Sequence, residues 1–212
     1  LNFALKKNAK ILFTSTSEVY GDPEVHPQPE SYRGSVNPIG VRACYDEGKR
    51  CAESLFYDFQ RMHGLEIRVA RLFNTYGPLM RSDDGRVVSN FICQSILDHP
   101  ITMYGDGSQT RSFCHVDDLI RGLQLLMNTE SNILHPINLG NPGEFTLLEL
   151  VNQIELFTEK KLQVQFLPLP PDDPKKRKPD ISIAMQELEW TPSISLKEGL
   201  KDTYEYFQNQ LL

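Results

Sequence analysis

Short apolar runs alternate with amphipathic stretches along this chain. The opening Leu1–Lys10 reads as the end of a helix: Leu1, Ala4 and Leu5 share a face, and Lys6, Lys7 and Lys10 suit a C-terminal turn. Ile11–Ser15 is an apolar, buried-type strand. Ser17 to Gly40 carries four prolines and reads as a long loop, the kind that is functional or disordered. A helix is expected over Ala43–His63, with Ala52, Leu55, Phe56 and Phe59 as its apolar stripe and Gly64 as its stop. Glu66–Phe73 then alternates as a strand, and a strand–helix–strand run of this kind implies a parallel, right-handed unit.

The remaining pattern is shorter-ranged. Helices are expected over Val87–Leu97, Val116–Asn128, Thr146–Phe157, Ile181–Leu188 and Leu196–Gln208. Strands are expected near Thr102–Tyr104, Arg111–His115, Ile137–Leu139 and Leu162–Leu167. Asp117 and Asp118 suit the positive end of their helix, and Thr146 with Glu149 has capping-box spacing. Pro168–Pro179 reads as a charged, proline-rich loop. Alternating strands and helices place the chain in the α/β class. The dinucleotide fingerprint G-x-G-x-x-G is absent: Gly105-Asp106-Gly107 begins one, but Thr110 stands where the third glycine belongs.

Composition narrows the partners. The chain has 212 residues and a net charge of −6, with 40% hydrophobic and 24% charged residues, an ordinary globular balance that excludes wholesale disorder. A net negative chain lacks the dense basic face that nucleic acid requires. No apolar run approaches the ~20 residues of a membrane span, so no membrane contact is expected of this segment. Cys44, Cys51, Cys93 and Cys114 fit no metal-ligand spacing and read as free, mostly structural thiols; no metal site is expected. Leu1 is not a start methionine, and no secretory signal opens the sequence, so the chain is expected to begin partway through a larger protein.

Tyr45 and Lys49 sit four apart on the expected long helix, hence on one face about 6 Å apart. An ammonium favours the charged form of a neighbouring phenol, and a phenolate is a base suited to a sugar hydroxyl. By spacing alone such a pair also arises by chance. Thr14–Gly21 follows a buried strand, and Arg71–Pro78 leaves the next strand at the same end, where α/β proteins keep their sites. A polar turn accounts equally for the first segment. Asn74 in the second suits a phosphate, a cofactor amide or an Asx turn.

Seven segments together resemble a known family. They are STSEVYG (Ser15–Gly21), RACYDEGKR (Arg42–Arg50), RLFNTYGP (Arg71–Pro78), DGRVVSNFI (Asp84–Ile92), YGDGSQTRSF (Tyr104–Phe113), INLGNP (Ile137–Pro142) and KRKPDI (Lys176–Ile181). In order and spacing they resemble extended short-chain dehydrogenases/reductases, and within them the UDP-glucuronate decarboxylases, or UDP-xylose synthases. The resemblance spans nearly the whole chain, but the glycine-rich first half of the family's Rossmann domain is missing. It implies the C-terminal part of a Rossmann-type doubly wound parallel sheet plus a smaller α/β substrate domain. Residues 1–75 would finish the NAD-binding domain, and 76–212 would form the nucleotide-sugar domain, with 116–140 returning to the Rossmann sheet.

The resemblance also implies roles. Tyr45 is the expected acid and base at sugar C4. Lys49 assists it and holds the nicotinamide ribose of NAD. Thr16 and Ser17 hydrogen-bond around the C4 oxygen, and Glu18 acts near C5. Thr75 and Arg86 are expected at the cofactor, Arg86 alternatively at the diphosphate or simply exposed. Asn74 and Asn90 contact phosphate or nucleotide, Tyr104 borders the uracil, and Arg111 clamps the diphosphate. Arg177 lies in a basic run, Lys175–Lys178, which by composition reads as a solvated patch; by resemblance it enters the sugar site and meets the diphosphate or the glucuronate carboxylate. Decarboxylation of UDP-glucuronate to UDP-xylose through a 4-keto sugar is the expected activity.

Alternatives stay open beside this reading. One is a UDP-glucuronate 4-epimerase or a sugar 4,6-dehydratase, the latter disfavoured by Ser17-Glu18 where an Asp-Glu pair is usual. Another is a non-catalytic nucleotide-sugar-binding or dimerising fragment. A homodimer through the helix carrying Tyr45 and Lys49 is implied, with Tyr57 and its face available to it. The implied compartment is the Golgi lumen, through an anchor upstream of Leu1, or else the cytoplasm. His115 beside Cys114 reads as a packed or capping histidine rather than a metal ligand.

Overall fold

The computed structural model describes residues 1–169 and 177–212. The elements run α1 (Asn2–Lys7), β1 (Ile11–Thr16), a 3-10 turn (Ser17–Tyr20), α2 (Ala43–His63), β2 (Ile67–Leu72), β3 (Thr75–Tyr76), α3 (Val87–Ile96) and β4 (Ile101–Tyr104). They continue with β5 (Thr110–Ser112), β6 (Cys114–His115), α4 (Val116–Asn128), β7 (Ile137–Leu139), β8 (Glu144–Thr146), α5 (Leu147–Thr158), β9 (Val164–Leu167), α6 (Ser182–Leu188) and α7 (Leu196–Leu211).

Strand periodicity builds the central layer. β1, β2 and β7 form a parallel sheet in that order, with Thr16 opposite Leu72 and Leu72 opposite Leu139. Alternate residues of β2 point to opposite faces. Ile67 and Val69 pack with Ala4, Phe13, Phe56 and Phe59, while Ala70 and Leu72 pack with Leu119, Leu126, Ala184 and Trp190. Helices therefore cover both faces, as a parallel sheet requires. Because the strand ends are in register, the segments after Thr16, Leu72 and Leu139 leave from one edge.

A second core lies around α3, α5 and α7. Leu147, Leu150, Val151 and Ile154 repeat at helical spacing and are buried together with Phe91, Ile92, Leu200 and Phe207. The expected cap of α5 is present in full: Thr146 Oγ accepts from Glu149 N, and Glu149 accepts from Thr146 N. Such a cap stabilises a helix by about 1 kcal/mol. Ser195 and Glu198 cap α7 in the same way.

Several expectations are corrected. The single strand over Arg111–His115 is two, β5 antiparallel to β8 and β6 parallel to β3, broken at buried Phe113. Strands of two or three residues carry too few alternations for a period to show, so β3 and β8 lay within presumed loop or helix cap. β1 is less buried than its apolar sequence implies. Ile11, Leu12 and Phe13 are half-buried and Thr14 is exposed, because β1 pairs only with β2 among the described residues. The stripe of α2 is turned: its fully buried side chains are Asp46 and Glu53, and Leu55 is half-exposed. Cys44 and Cys51 are exposed rather than packed, while Cys93 and Cys114 are buried. The loop expected over Pro168–Pro179 lies partly outside the described residues, as do Lys175 and Lys176.

Candidate functional site

The edge shared by the ends of β1, β2 and β7 carries most of the candidate residues. Thr16 ends β1 and turns the chain: its Oγ accepts from Glu18 N at 3.3 Å, starting the 3-10 turn. Gly21 closes that turn at φ 65°, and a Cβ there would lie 2.0 Å from Ser35 O, so only glycine lets the next strand of loop approach. Ser17 is buried, and Glu18 is left half-buried at the rim.

Helix α2 begins beside this turn. Tyr45 N and Asp46 N both donate to Arg42 O, at 3.0 and 3.2 Å, fixing the first turn. Tyr45 stands 47% exposed on the open side. Lys49 Nζ donates to Thr14 O at 2.7 Å and lies 5.7 Å from the Tyr45 ring centroid. The helical spacing thus brings phenol and ammonium together at the carboxyl end of β1.

Arg177 arrives from the far end of the chain. Both its terminal nitrogens donate to Glu18, NH2 at 3.1 Å to Oε2 and NH1 closely to Oε1. It is 6% exposed, which overturns the solvated-patch reading for this residue. Three hydrogen bonds on Gln28 hold the adjoining segment: Gln28 N to Lys178 O at 2.9 Å, Asp180 N to Gln28 O at 3.0 Å, and Lys178 N to Gln28 Oε1 at 2.9 Å. Two further groups, not anticipated from the sequence, complete the cluster. Arg42 NH2 lies 3.0 Å from Glu18 Oε1. Asp46 is buried, its Oδ1 has no hydrogen-bond partner, and burial first, then the nearby Glu18, push its carboxyl above the usual range.

A buried polar network supports the site from beneath. Glu53 accepts from Arg71 Nε at 3.0 Å and NH2 at 2.7 Å, and from Ser15 Oγ at 2.5 Å. Arg71 NH1 donates to Tyr20 Oη at 3.1 Å and Glu30 O at 3.0 Å. Tyr20 Oη donates to Asn138 Oδ1 at 2.8 Å, and Asn138 N donates to Glu30 Oε1 at 2.8 Å. Burial pushes the Tyr20 hydroxyl up to about 12, against the opposing pull of Arg71. Burial pulls on the Arg71 guanidinium too, but the Glu53 carboxylate and Tyr20 more than offset it and hold Arg71 charged. One sequence signal pointed here: Glu53 continues the Tyr45–Lys49 stripe at the next four-residue step.

The other candidates sit on neighbouring elements. Asn74 follows β2 directly, and its carbonyl accepts from Cys114 N at 2.9 Å. Thr75 lies in β3, its hydroxyl bonded to Phe73 O at 2.9 Å. Asn90 is in the first turns of α3, its N bonded to Arg86 O at 2.9 Å. Arg86 is exposed, its Nε 3.6 Å from Asp84. Tyr104 ends β4, 45% exposed, and Arg111 is half-buried on β5, with NH1 bonded to Thr110 O at 2.8 Å. His26 Nε2 lies 3.2 Å from Glu144 on the strand paired to β5 and so ties the loop before α2 to that hairpin. His115 caps α4, accepting from Asp117 N at Nδ1, and Asp118 receives Ser193 N and Ile194 N. His115 is thus the capping histidine the sequence suggested, while the Asp118 carboxylate, in the first turn of α4, ties that helix to the segment before α7. No group of three or more metal-ligating side chains occurs among the described residues.

With a tyrosine–lysine pair at the edge of a doubly wound sheet, comparison with known proteins becomes decisive. Residues 1–203 match the family model described as GDP-mannose 4,6 dehydratase. The chain belongs to this family. It is 55% identical over 211 residues to UDP-glucuronic acid decarboxylase 3 of Arabidopsis thaliana, all of this chain and 61% of that protein. It is 54% identical over 211 residues to UDP-glucuronic acid decarboxylase 1 of Danio rerio, again all of this chain but 50% of that protein. The chain thus spans about half to three fifths of these relatives. The structure of UDP-glucuronic acid 4-epimerase from Bacillus cereus, in complex with UDP-glucuronic acid and NAD, matches at TM-score 0.85 and 32% identity, covering 96% of this chain and 62% of that one. UDP-glucose 4-epimerase of Thermotoga maritima matches at TM-score 0.91 and 29% identity, covering all of this chain and 67% of that one. The fold is Rossmann-type α/β, within the extended short-chain dehydrogenase/reductase group.

Proposed function

We propose that the protein to which this chain belongs is an NAD-dependent UDP-glucuronate decarboxylase that makes UDP-xylose. The observation that carries the reading is the convergence of Tyr45, Lys49, Glu18 and Arg177 on one sheet edge, in a chain 55% identical to a UDP-glucuronic acid decarboxylase. The match to UDP-glucuronic acid 4-epimerase, at 32%, supports the epimerase alternative less.

The donor set fits a pyridine nucleotide. Lys49 spends one N–H on Thr14 O and keeps two for ribose hydroxyls, beside a half-exposed Tyr45 hydroxyl at the open edge. NAD, when bound, takes a hydride from sugar C4 and returns it at the end. Tyr45 removes the proton from the C4 hydroxyl and later returns one to that oxygen, while Lys49 orients the phenol. Thr75 and Arg86 serve the cofactor side. Thr16 and Ser17 hold the C4 oxygen, and Glu18 works near C5.

A C4 ketone places the C6 carboxylate β to a carbonyl. The C5–C6 bond then breaks, its electron pair enters an enolate, and CO2 leaves; protonation at C5 follows. Fixed donors aimed at that enolate oxygen lower its cost. Arg111, Asn74 and Asn90 hold diphosphate and nucleotide, Tyr104 borders the uracil, and Arg177 meets the diphosphate or the glucuronate carboxylate. We place the dimer contact on the exposed side of α2, where Leu55 and Met62 are 50% and 74% exposed, rather than on the Tyr57 face, which packs against the sheet with Ile67 and Val69. The resemblance also supports action in the Golgi lumen, with the cytoplasm as alternative, which fractionation of the full-length protein decides.

The test is incubation of the full-length protein with UDP-glucuronate and catalytic NAD, with the product identified by mass and sugar NMR. UDP-xylose with loss of CO2 is expected, and Tyr45→Phe is expected to lower kcat at least about 100-fold. A product of unchanged mass would replace this reading with the epimerase. The 212 residues alone, without a glycine-rich loop, are expected to be inactive.

A further inference from the structure

Arg42 lies outside every role assigned above, yet it touches Glu18. We propose that Arg42 is a positioning residue that holds Glu18 in place when Arg177 turns to the substrate. The inference rests on the decarboxylase reading, because it needs Arg177 to leave Glu18.

The charge inventory of the cluster leads there. Glu18 and Asp46 bring two carboxylates, and Arg42 and Arg177 bring two guanidiniums. The hydrogen bonds are unevenly shared. Glu18 accepts from both terminal nitrogens of Arg177 and forms an ion pair with Arg42 NH2 at 3.0 Å, while Asp46 Oδ1 and Arg177 Nε are buried with no hydrogen-bond partner. Glu47, next to Asp46 in the chain, adds a weaker negative charge, and its own partner is Arg50. If Arg177 engages a phosphate or a sugar carboxylate, Glu18 loses both Arg177 hydrogen bonds and keeps the Arg42 ion pair. It is then left beside the buried Asp46 carboxylate, which repels it. Arg42 is the cation that remains.

Its placement suits that task. Arg42 is the residue before α2, three positions from Tyr45, and its carbonyl anchors the turn carrying Tyr45 and Asp46. Its side chain is 49% exposed, so it reaches Glu18 from the solvent side without being packed into the core. A half-exposed ion pair contributes little to folding. Its effect should therefore appear in turnover rather than in stability.

The experiment compares full-length wild type with Arg42→Met, Arg42→Gln, Arg42→Lys and the double variant Arg42→Met/Asp46→Asn, measuring kcat and KM for UDP-glucuronate. Arg42→Met and Arg42→Gln are each expected to lower kcat about tenfold with KM within about twofold. Arg42→Lys is expected to restore most of that loss. Asp46→Asn in the Arg42→Met background is expected to restore part, because it removes the repelling carboxylate. A purely structural role for Arg42 would not respond to that second substitution. Unchanged kcat in both neutral variants overturns the proposal, as does a rise in KM alone or a kcat loss that neither lysine nor Asp46→Asn relieves. A wild type that forms no UDP-xylose overturns the decarboxylase reading and this inference with it.

Discussion

Removing the Glu53 carboxylate should cost the protein about 3 kcal/mol of stability. Glu53 and Arg71 form a two-pronged pair at 3.0 and 2.7 Å, with side chains 9% and 13% exposed. Breaking a buried pair by deleting one partner costs about 3–5 kcal/mol, because the other charge stays buried and uncompensated. Arg71 would keep Tyr20 Oη and Glu30 O as acceptors, which places Glu53→Ala at the lower end. Glu53→Gln keeps an acceptor but no charge and should cost about half as much. Glu53→Met with Arg71→Met removes both charges and should cost less than the sum of the single changes by roughly 2 kcal/mol. Urea unfolding of the full-length protein, read by intrinsic fluorescence, gives all of these values. Single-variant losses under about 0.5 kcal/mol, or a strictly additive double variant, would refute the claim that this pair is buried and coupled.

The same network sets an alkaline limit. The folded state holds the Tyr20 proton up to about 12, above the ~10 of an unfolded tyrosine. That contribution is therefore intact below pH 10 and is lost as pH rises from 10 through 12, by about 2 kcal/mol. Urea midpoints at pH 8 and pH 11.5 should show the fall, and Tyr20→Phe should make it shallower; a midpoint flat over this range would contradict it. Gly199→Ala in α7 should destabilise despite alanine's gain of about 1 kcal/mol in helix propensity. Its Cβ would sit 2.2 Å from Tyr76 Oη and 2.8 Å from His115 Cδ2, both buried and rigid, and overpacking costs about 1–3 kcal/mol. A melting temperature equal to or above wild type would show that those rings can yield.

What the sequence determined by itself was whatever depends on local spacing. The long α2 with its Gly64 stop, the Thr146–Glu149 cap and the Tyr45–Lys49 face are each written within a few turns of helix. The parallel pairing of β1 with β2 follows from strand–helix alternation, and so does the shared strand edge where the site lies, whereas the place of β7 beside β2 is read from the fold. Only the tertiary structure decided the rest. β3, β6 and β8 are too short to show a period, and their partners are distant in sequence, so pairing alone creates them. Helix α2 buries Asp46 and Glu53 rather than Leu55, because Arg71 on the neighbouring strand satisfies Glu53 there, a match no helical pattern encodes. Arg177 sits in a basic run that composition assigns to solvent, and it is buried because Gln28 anchors its segment where Glu18 can receive it. Burying a charge costs much less beside a counter-charge, as Glu53 with Arg71 and Arg177 with Glu18 are placed. Here the counter-charges lie far along the chain, so the fold alone brings them together.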